Sequence, residues 1–214
     1  MAEINLEALA RGEIDVLADA ISRGENGELS ERELAKIHER AAALVSASNQ
    51  PGRIGITGSP GVGKSTLTSL LIKEFRASGA KVGVLAIDPS SVLTGGALLG
   101  DRIRMHEHYV DPKVFIRSMS ARGHLGGLAI ATPIASELLA IAGYAPVIVE
   151  TVGVGQSEVE VMNHVETTIV VLSPGAGDDI QSAKAGILEV ADIFIINKID
   201  RDLEGAQKLH QELI

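Results

Sequence analysis

The chain has 214 residues and a formal net charge of −9, and this length suits one globular domain, or one domain with a small appendage. Its 19 Lys and Arg against 28 Asp and Glu disfavour nucleic-acid backbones and anionic membrane surfaces as partners. The absence of Cys excludes disulfides, thiolate metal sites and cysteine nucleophiles. Three Phe, two Tyr and no Trp beside 23 Gly favour an aliphatic core with tight backbone approaches.

The first residues do not look like a targeting segment. The sequence starts Met-Ala-Glu-Ile-Asn-Leu-Glu, which is acidic and lacks the basic-then-apolar order of a secretory signal. It also lacks the Arg- and Ser-rich bias of a transit peptide, and no segment approaches the ~20 apolar residues of a membrane span. We therefore expect a cytoplasmic protein with no membrane and no nucleic-acid partner.

The chain begins with two stretches of helical periodicity. Apolar residues recur at three- and four-residue steps over residues 14–23 and stop at Gly24, which predicts a helix that ends there. Ser30 and Glu33 form a capping box before a second apolar-faced helix. Pro51 and Gly52 break this pattern, so the sequence predicts two parts. These are an N-terminal helical segment, residues 1–50, and a second domain, residues 51–214.

After the break, short β-rich runs alternate with helical patterns. Strands separated by helices predict an α/β fold, with a mostly parallel sheet covered by helices on both faces. The predicted strands are residues 53–57, 81–88, 114–117, 147–150, 167–173 and 193–197. The predicted helices are residues 64–78, 128–142, 179–190 and a last one that starts at Asp202.

The clearest motif is G-x-x-x-x-G-K-[ST] at residues 58–65, here called the phosphate loop, which follows a predicted strand and opens a predicted helix. Glycines let consecutive backbone N–H groups curl around phosphate oxygens at the positive end of the helix. Lys64 can neutralise the β- and γ-phosphates, and the Ser65 hydroxyl can ligate Mg²⁺. The predicted nucleotide-binding residues of this loop are Gly58, Ser59, Pro60, Gly61, Val62, Gly63, Lys64, Ser65 and Thr66.

A second motif, Asn-Lys-x-Asp at residues 197–200, here called the base motif, lies at the carboxyl end of a predicted strand, where such sheets bind ligands. The Asp200 carboxylate can accept from guanine N1–H and N2–H₂, whereas adenine would leave it unpaired. Asn197 can reach the other edge of the purine, and the stem of Lys198 can cover the ring. Such a site can reject the wrong base by roughly 10⁴. The pair of motifs predicts a GTP-binding, GTP-hydrolysing protein.

Between these motifs, an apolar strand ends in Glu150, with Gly153 three residues further on, in the place of the usual D-x-x-G. Glu150 can hold a magnesium-bound water, since its longer side chain suits such an outer contact. The N–H of Gly153 can contact the γ-phosphate, and its loop would relax when that phosphate leaves. Val154 follows where Ras-type GTPases carry a water-orienting Gln, so we expect a low unaided hydrolysis rate that a partner stimulates.

Together these residues resemble the MeaB/ArgK family of P-loop GTPases. The segments that carry the resemblance are residues 55–66, 88–91, 94–96, 99–102, 150–158 and 197–200. The resemblance implies a metallochaperone-class GTPase, usually homodimeric. Its implied role is to gate adenosylcobalamin delivery to methylmalonyl-CoA mutase, or a related acyl-CoA mutase, and to protect that enzyme.

The resemblance also implies roles for three further residues. Asp88 would lie near Mg²⁺ or the attacking water, Asp101 would be the acidic residue of the first switch, and Arg104 would neutralise developing charge or report the nucleotide to a partner. With Glu150 and the Ser65 hydroxyl, these two aspartates would complete an oxygen-only metal site. Residues 175–184 correspond to a further loop that signals to the mutase.

Two other functions stay open at this stage. An older family label implies an ATP-dependent kinase or ATPase coupled to arginine and ornithine transport, and a noncatalytic guanine-nucleotide binding module would bind GTP without partner-stimulated turnover. Family members usually run longer, with a helical arm that builds the dimer. We therefore expect this chain to lack that C-terminal arm.

Overall fold

A computed structural model describes residues 3–47, 52–88, 105–120, 127–151, 162–175 and 189–214. The helices are α1 (Leu6–Ala10), α2 (Ile14–Glu25), α3 (Glu31–Ala47), α4 (Lys64–Ala77), α5 (Gly127–Ile141) and α6 (Leu203–Leu213). The strands are β1 (Arg53–Thr57), β2 (Val82–Asp88), β3 (Val114–Ser120), β4 (Val147–Thr151), β5 (Thr167–Leu172) and β6 (Ile193–Ile196). A short 3₁₀ helix spans His106–His108.

The strands form one six-stranded sheet in the order β3-β2-β4-β1-β5-β6, and every neighbouring pair is parallel. In the register, Glu150 of β4 lies opposite Ile56 of β1 and Ala86 of β2. The carboxyl ends of these three strands therefore meet at one edge of the sheet. The predicted α/β class with a parallel sheet is confirmed.

The sheet is covered on both faces because its strands are apolar on both. In β2, Leu85 and Ile87 belong to one buried cluster, whereas Val82 and Val84 belong to the other. Helix α5 packs on the first face and α4 on the second. Alternate side chains of a strand point to opposite faces, so these two clusters are the two sides of the sheet.

The N-terminal helices lie outside α5, on the first face. Helices α1, α2 and α3 contact α5, and apolar residues of α1 to α3 share one buried cluster with residues of α5 and the sheet. The predicted capping box is present: the Ser30 N–H donates to Glu33 (3.0 Å) and the Glu33 N–H donates to Ser30 (3.3 Å). The division of the chain at residue 50 stays a prediction.

Two details of this segment differ from the sequence-based expectation. Helix α1 was not expected, because a five-residue helix is too short to show a periodic pattern; its first turn is capped by the Asn5 side chain, which accepts from the Ala8 N–H (3.0 Å). Helix α2 does not end at Gly24 but continues to Glu25. Gly24 is buried near Ile134, and Gly27 (φ +68°) takes the left-handed position after the helix.

Strand β3 is longer than the sequence indicated. It was expected over residues 114–117 but reaches Ser120, because Ser118, Met119 and Ser120 continue the pairing with β2 as far as Asp88. Residues 179–190, expected as a helix, lie largely outside the described residues. Among the helices of the described ranges, none has the length and apolar character needed to cross a membrane.

Side chains of the segment that precedes β5 pack closely against β1. A Cβ at Gly55 would lie 2.4 Å from the sulfur of Met162 and 2.9 Å from a methyl group of Val165. Real Cβ contacts are essentially never this short, so the present packing of the Met162 side chain against the middle of β1 requires glycine at position 55. Met162 is buried in this position.

Candidate nucleotide site

The phosphate loop connects β1 to α4, as predicted. Gly58, Gly61 and Gly63 have φ angles of +144°, +80° and +108°, a region that L side chains rarely adopt. A Cβ at Gly58 would lie 2.2 Å from the backbone oxygen of Val171 in β5. The glycines thus curl the loop and let it pass against the neighbouring strand. This strand, loop and helix arrangement is the context that a phosphate-binding loop needs.

Lys64 is the first residue of α4 and is buried. Its ammonium group donates to the backbone oxygens of Gly58 (2.6 Å) and Ser59 (2.9 Å), at the start of the phosphate loop. The Lys64 side chain therefore folds back over the phosphate loop. Among the other predicted residues, Ser59, Val62 and Ser65 are buried, whereas Pro60, Gly61 and Thr66 are exposed.

Glu150 lies within hydrogen-bond distance of two hydroxyl groups of α4. The Ser65 hydroxyl donates to Oε1 (2.6 Å) and the Thr68 hydroxyl donates to Oε2 (2.5 Å). Glu150 is only 4% exposed, so these charge-assisted hydrogen bonds offset the cost of removing its carboxylate from water. The structure thus brings Glu150 and Ser65 together, as the sequence analysis required.

The base motif follows β6, where the Asn197 N–H donates to the Leu172 oxygen (2.8 Å). The Asn197 side-chain amide donates to the Val62 oxygen (2.8 Å), and the Lys198 ammonium donates to the Gly61 oxygen. Lys198 has a left-handed backbone, φ +58°, and its N–H donates to the Asn197 side chain (2.9 Å). Two residues of the base motif therefore contact the phosphate loop directly, across 135 and 137 positions of sequence.

Asp200, the residue predicted to read the base, is exposed. It lies in the turn between β6 and α6, and Asp202 caps α6 by accepting from the Gly205 N–H (2.8 Å). The Asp200 carboxylate is therefore accessible to a ligand at the sheet edge that carries the phosphate loop. The neighbouring Ile199 is 45% exposed.

The remaining predicted residues are only partly within the described ranges. Asp88 is the last residue of β2, one position beyond Ile87, which pairs with Thr151 of β4. Its backbone is thus at the same sheet edge as Glu150. Several predicted functional residues lie outside the described residues: Asp101, Arg104, Gly153, Val154 and residues 176–184.

Sequence reasoning missed Thr68. This residue is fully buried, and its hydroxyl also lies 3.1 Å from the Lys64 backbone oxygen. A signal was available: Ser65 and Thr68 are three residues apart on one helix, and residues at that spacing share a face. The partner, Glu150, is 82 positions away, so no local pattern could indicate the contact.

A second group of polar side chains joins the middle of α4 to the 3₁₀ helix. The Ser69 hydroxyl lies 2.8 Å from both Glu107 Oε1 and His108 Nε2, and Lys73 forms an ion pair with Glu107 (2.9 Å). Hydrogen bonds from Lys73 and Ser69 lower the pKa of Glu107, and burial lowers the pKa of His108. These contacts fix residues 107–108 against the helix that starts at the phosphate loop.

The parallel sheet, the glycine-rich loop leading from β1 into α4 and the base motif in contact with that loop define a P-loop nucleotide-binding protein. The family model described as "Methylmalonyl Co-A mutase-associated GTPase MeaB" matches residues 17–214. The chain belongs to this MeaB family of GTPases, and the predicted resemblance is confirmed.

Three similar proteins illustrate the relationship. A Pyrococcus abyssi protein that carries a GTPase name is 49% identical over 208 residues, which is 97% of this chain and 62% of that protein. The Caenorhabditis elegans protein named methylmalonic aciduria type A homolog, mitochondrial, is 46% identical over 160 residues, 74% of this chain and 40% of that protein. A crystal structure described as LAO/AO transport system kinase has 31% identity and a TM-score of 0.63, covering 97% of this chain and 60% of that one.

The chain is therefore shorter than these relatives. It spans less than two thirds of the length of each protein that it matches here.

Proposed function

We propose that this chain binds GTP with Mg²⁺ and hydrolyses it slowly, and that a partner protein stimulates the hydrolysis. The observation that carries this proposal is the contact of Asn197 and Lys198 with the backbone oxygens of Val62 and Gly61. A base bound at Asp200 and phosphates bound in the loop would then belong to one continuous site. Membership of a family described as GTPases supports the same reading.

Within this site, the residues of the chain have separate tasks. The backbone N–H groups of the phosphate loop and the N-terminus of α4 would hold the phosphates, and Lys64 would neutralise their charge. The Asp200 carboxylate would accept from guanine N1–H and N2–H₂. Gly153 would contact the γ-phosphate and Arg104 would neutralise charge that develops on it.

The chemistry of the donor set fits a magnesium ion. Ser65 gives its single hydroxyl proton to Glu150, so the oxygen lone pairs of Ser65 are available to a hard cation, which prefers oxygen ligands. Ser65 would hold the ion directly, Glu150 through a bound water, and Asp88 and Asp101 would complete the set. When bound, Mg²⁺ would neutralise charge on the phosphate oxygens.

We further propose that the GTPase gates adenosylcobalamin delivery to an adenosylcobalamin-dependent acyl-CoA mutase, such as methylmalonyl-CoA mutase, and protects that enzyme. The family description, and the name of the nematode relative, support a link to methylmalonyl-CoA metabolism. We also propose a cytoplasmic location and no membrane or nucleic-acid partner, and, as the family resemblance implies, that full-length members of the family act as homodimers.

A second candidate is an ATP-dependent kinase linked to arginine and ornithine transport. The description of the 31% identical structure as a transport system kinase favours it. It requires adenine at the base motif, where Asp200 would face an acceptor and no 2-amino group. That mismatch is the physical reason to prefer GTP.

Hydrolysis of GTP and of ATP, each with and without the apo-mutase, separates the candidates. The proposal predicts that GTP is strongly preferred and that the mutase changes the GTP hydrolysis rate. Equal turnover of ATP and GTP, or phosphate transfer to a protein acceptor, would favour the kinase. GTP binding with no turnover, with or without the mutase, would indicate a noncatalytic binding module.

The base assignment has its own test, the substitution Asp200→Asn. Its amide can accept from xanthine N1–H and donate to the 2-oxo group, whereas guanine presents a donor at that position. The variant should lose guanine nucleotide affinity by roughly 10²-fold or more and gain xanthine nucleotide affinity. Asp202→Asn is the matched control, since Asp202 caps α6 and Asn is an equally good cap. A variant Asp200→Asn that keeps its guanine preference would contradict the assignment.

A further inference from the structure

The Thr68 hydroxyl has two acceptors within reach and one proton. Its oxygen lies 2.5 Å from Glu150 Oε2 and 3.1 Å from the backbone oxygen of Lys64. A hydroxyl donates one hydrogen bond, and a carboxylate is the stronger acceptor. The shorter distance is to the carboxylate, so the proton goes to Glu150 rather than back into the helix.

The two carboxylate oxygens of Glu150 are thus held by different hydroxyl groups. Thr68 donates to Oε2 and Ser65 donates to Oε1, and these two residues lie three positions apart on the same face of α4. A hydrogen bond to Oε2 restricts rotation of the carboxylate, and this in turn restricts the position of Oε1. The direction of the Ser65 hydroxyl proton, and therefore of its lone pairs, follows from that position.

The length of the glutamate explains why a second contact is needed. Glutamate has one more rotatable side-chain bond than aspartate, so its carboxylate is less fixed by the backbone of β4. Thr68 is completely buried and Glu150 is 4% exposed, so water does not compete freely for the hydrogen bond between them. The contact holds the end of the longer side chain in one place.

We propose that Thr68 is a positioning residue for magnesium binding: it holds Glu150 so that the Ser65 hydroxyl presents its lone pairs to the ion. This inference rests on the proposed function, because it concerns the cation of the nucleotide site. Thr68 itself is not expected to touch nucleotide or metal. Partners of this outer kind change metal affinity by about 10–100-fold when they are removed.

The test is the binding of fluorescent GDP to the protein while Mg²⁺ is titrated, alongside the GDP affinity in excess EDTA. Thr68→Val keeps the shape of the side chain and removes the hydroxyl, so it should weaken the apparent Mg²⁺ affinity by roughly 10-fold or more. GDP affinity in EDTA should not change. Thr68→Ser should restore the Mg²⁺ affinity, because it returns the donor.

Ser69→Ala is the matched control. It removes the next hydroxyl of the same helix, which contacts Glu107 and His108 instead of Glu150. It should leave the Mg²⁺ dependence unchanged. If Ser69→Ala weakened Mg²⁺ affinity as much as Thr68→Val, a general loosening of α4 would explain both effects and the inference would be wrong.

A double-mutant cycle with Glu150→Asp isolates the contact. The shorter carboxylate cannot keep both hydroxyl contacts, so Thr68→Val should have little further effect in that background. Equal effects in both backgrounds would overturn the inference. Should Thr68→Val fail to fold, Thr68→Ala takes its place in the cycle with the same expected outcomes.

Different results would overturn the proposed function and the inference about Thr68. A wild-type protein that binds no GDP would overturn the proposed function, and this inference with it. A wild-type protein whose GDP binding is tightened by Mg²⁺, beside a Thr68→Val variant with the same Mg²⁺ dependence, would overturn the inference alone.

Discussion

Replacing glycines of the phosphate loop by alanine tests how closely its neighbours enclose it. Gly58, Gly61 and Gly63 all have positive φ angles, but their surroundings differ. At Gly61 a Cβ meets nothing within 4 Å, at Gly63 it lies 2.3 Å from the side-chain nitrogen of Asn197, and at Gly58 it lies 2.2 Å from the backbone oxygen of Val171. The three sites therefore separate backbone strain from two kinds of steric conflict.

The expected losses of folding free energy follow from these distances. Gly61→Ala costs only the left-handed backbone, about 1–2 kcal/mol, less the gain from a stiffer unfolded chain. Gly63→Ala adds the displacement of Asn197 and its hydrogen bond to Val62, about 1 kcal/mol more. Gly58→Ala conflicts with a backbone atom of β5 that cannot move without disturbing the sheet, so we expect it to cost more than about 3 kcal/mol.

Urea denaturation of the three variants, followed by circular dichroism, measures these differences. The predicted order of destabilisation is Gly61→Ala, then Gly63→Ala, then Gly58→Ala. A Gly61→Ala variant as unstable as Gly58→Ala would refute the reasoning, since a Cβ at position 61 meets nothing within 4 Å whereas a Cβ at position 58 meets a backbone oxygen. The double variant Gly63→Ala, Asn197→Ala should recover part of the loss of Gly63→Ala, because it removes the group that the Cβ meets.

Two further predictions concern single charged groups. Hydrogen bonds from the N–H and hydroxyl of Ser30, with a smaller effect of Arg23, lower the pKa of Glu33 from 4.5 to about 2. Glu33 therefore stabilises the fold above pH 4.5, by about 3 kcal/mol, and this contribution is lost as the pH falls towards 2. Glu33→Gln should be less stable than the wild type at pH 7. Urea titrations at lower pH should show that the difference in free energy of unfolding between the two proteins shrinks. A constant difference down to pH 3 would contradict the lowered pKa of Glu33. Lys64→Ala removes the ammonium group that we propose neutralises the phosphates, so equilibrium binding should show a roughly 10–100-fold loss of GTP affinity. Lys198→Ala is its comparison, and we expect it to weaken GDP and guanosine binding alike.

Much of the fold is predictable because its signals are local. Each strand contains a short stretch of apolar residues, the phosphate loop is a contiguous motif, and the Ser30 and Glu33 capping box lies within four residues. Where the predicted end of a helix or strand was wrong, the residues concerned contact parts of the chain that are distant in sequence. Helix α2 continues past Gly24 to Glu25, and Gly24 is buried near Ile134 of α5. Strand β3 reaches Ser120 because β2 supplies the pairing.

In the candidate site, too, local patterns were predictable and contacts between distant residues were not. The phosphate loop and base motif could be found in the sequence, because each is a short pattern with a fixed spacing. The contacts between the two motifs join residues more than a hundred positions apart. Likewise, the role of the Thr68 hydroxyl can be inferred only from its hydrogen bond to Glu150. Such contacts depend on strand order, which the periodicity of a single chain does not determine.

The close packing of Met162 on Gly55 has a consequence for the connection between β4 and β5. Thr151 is paired within the sheet as the last residue of β4, and the side chain of Met162 packs against Gly55 of β1, so the described residues on either side of positions 152–161 both contact the sheet. Residues inserted between Thr151 and Met162 would therefore have to be accommodated between two residues that both contact the sheet. A methyl group added at position 55 would meet the sulfur of Met162 and a methyl group of Val165, so these side chains would have to move away from β1.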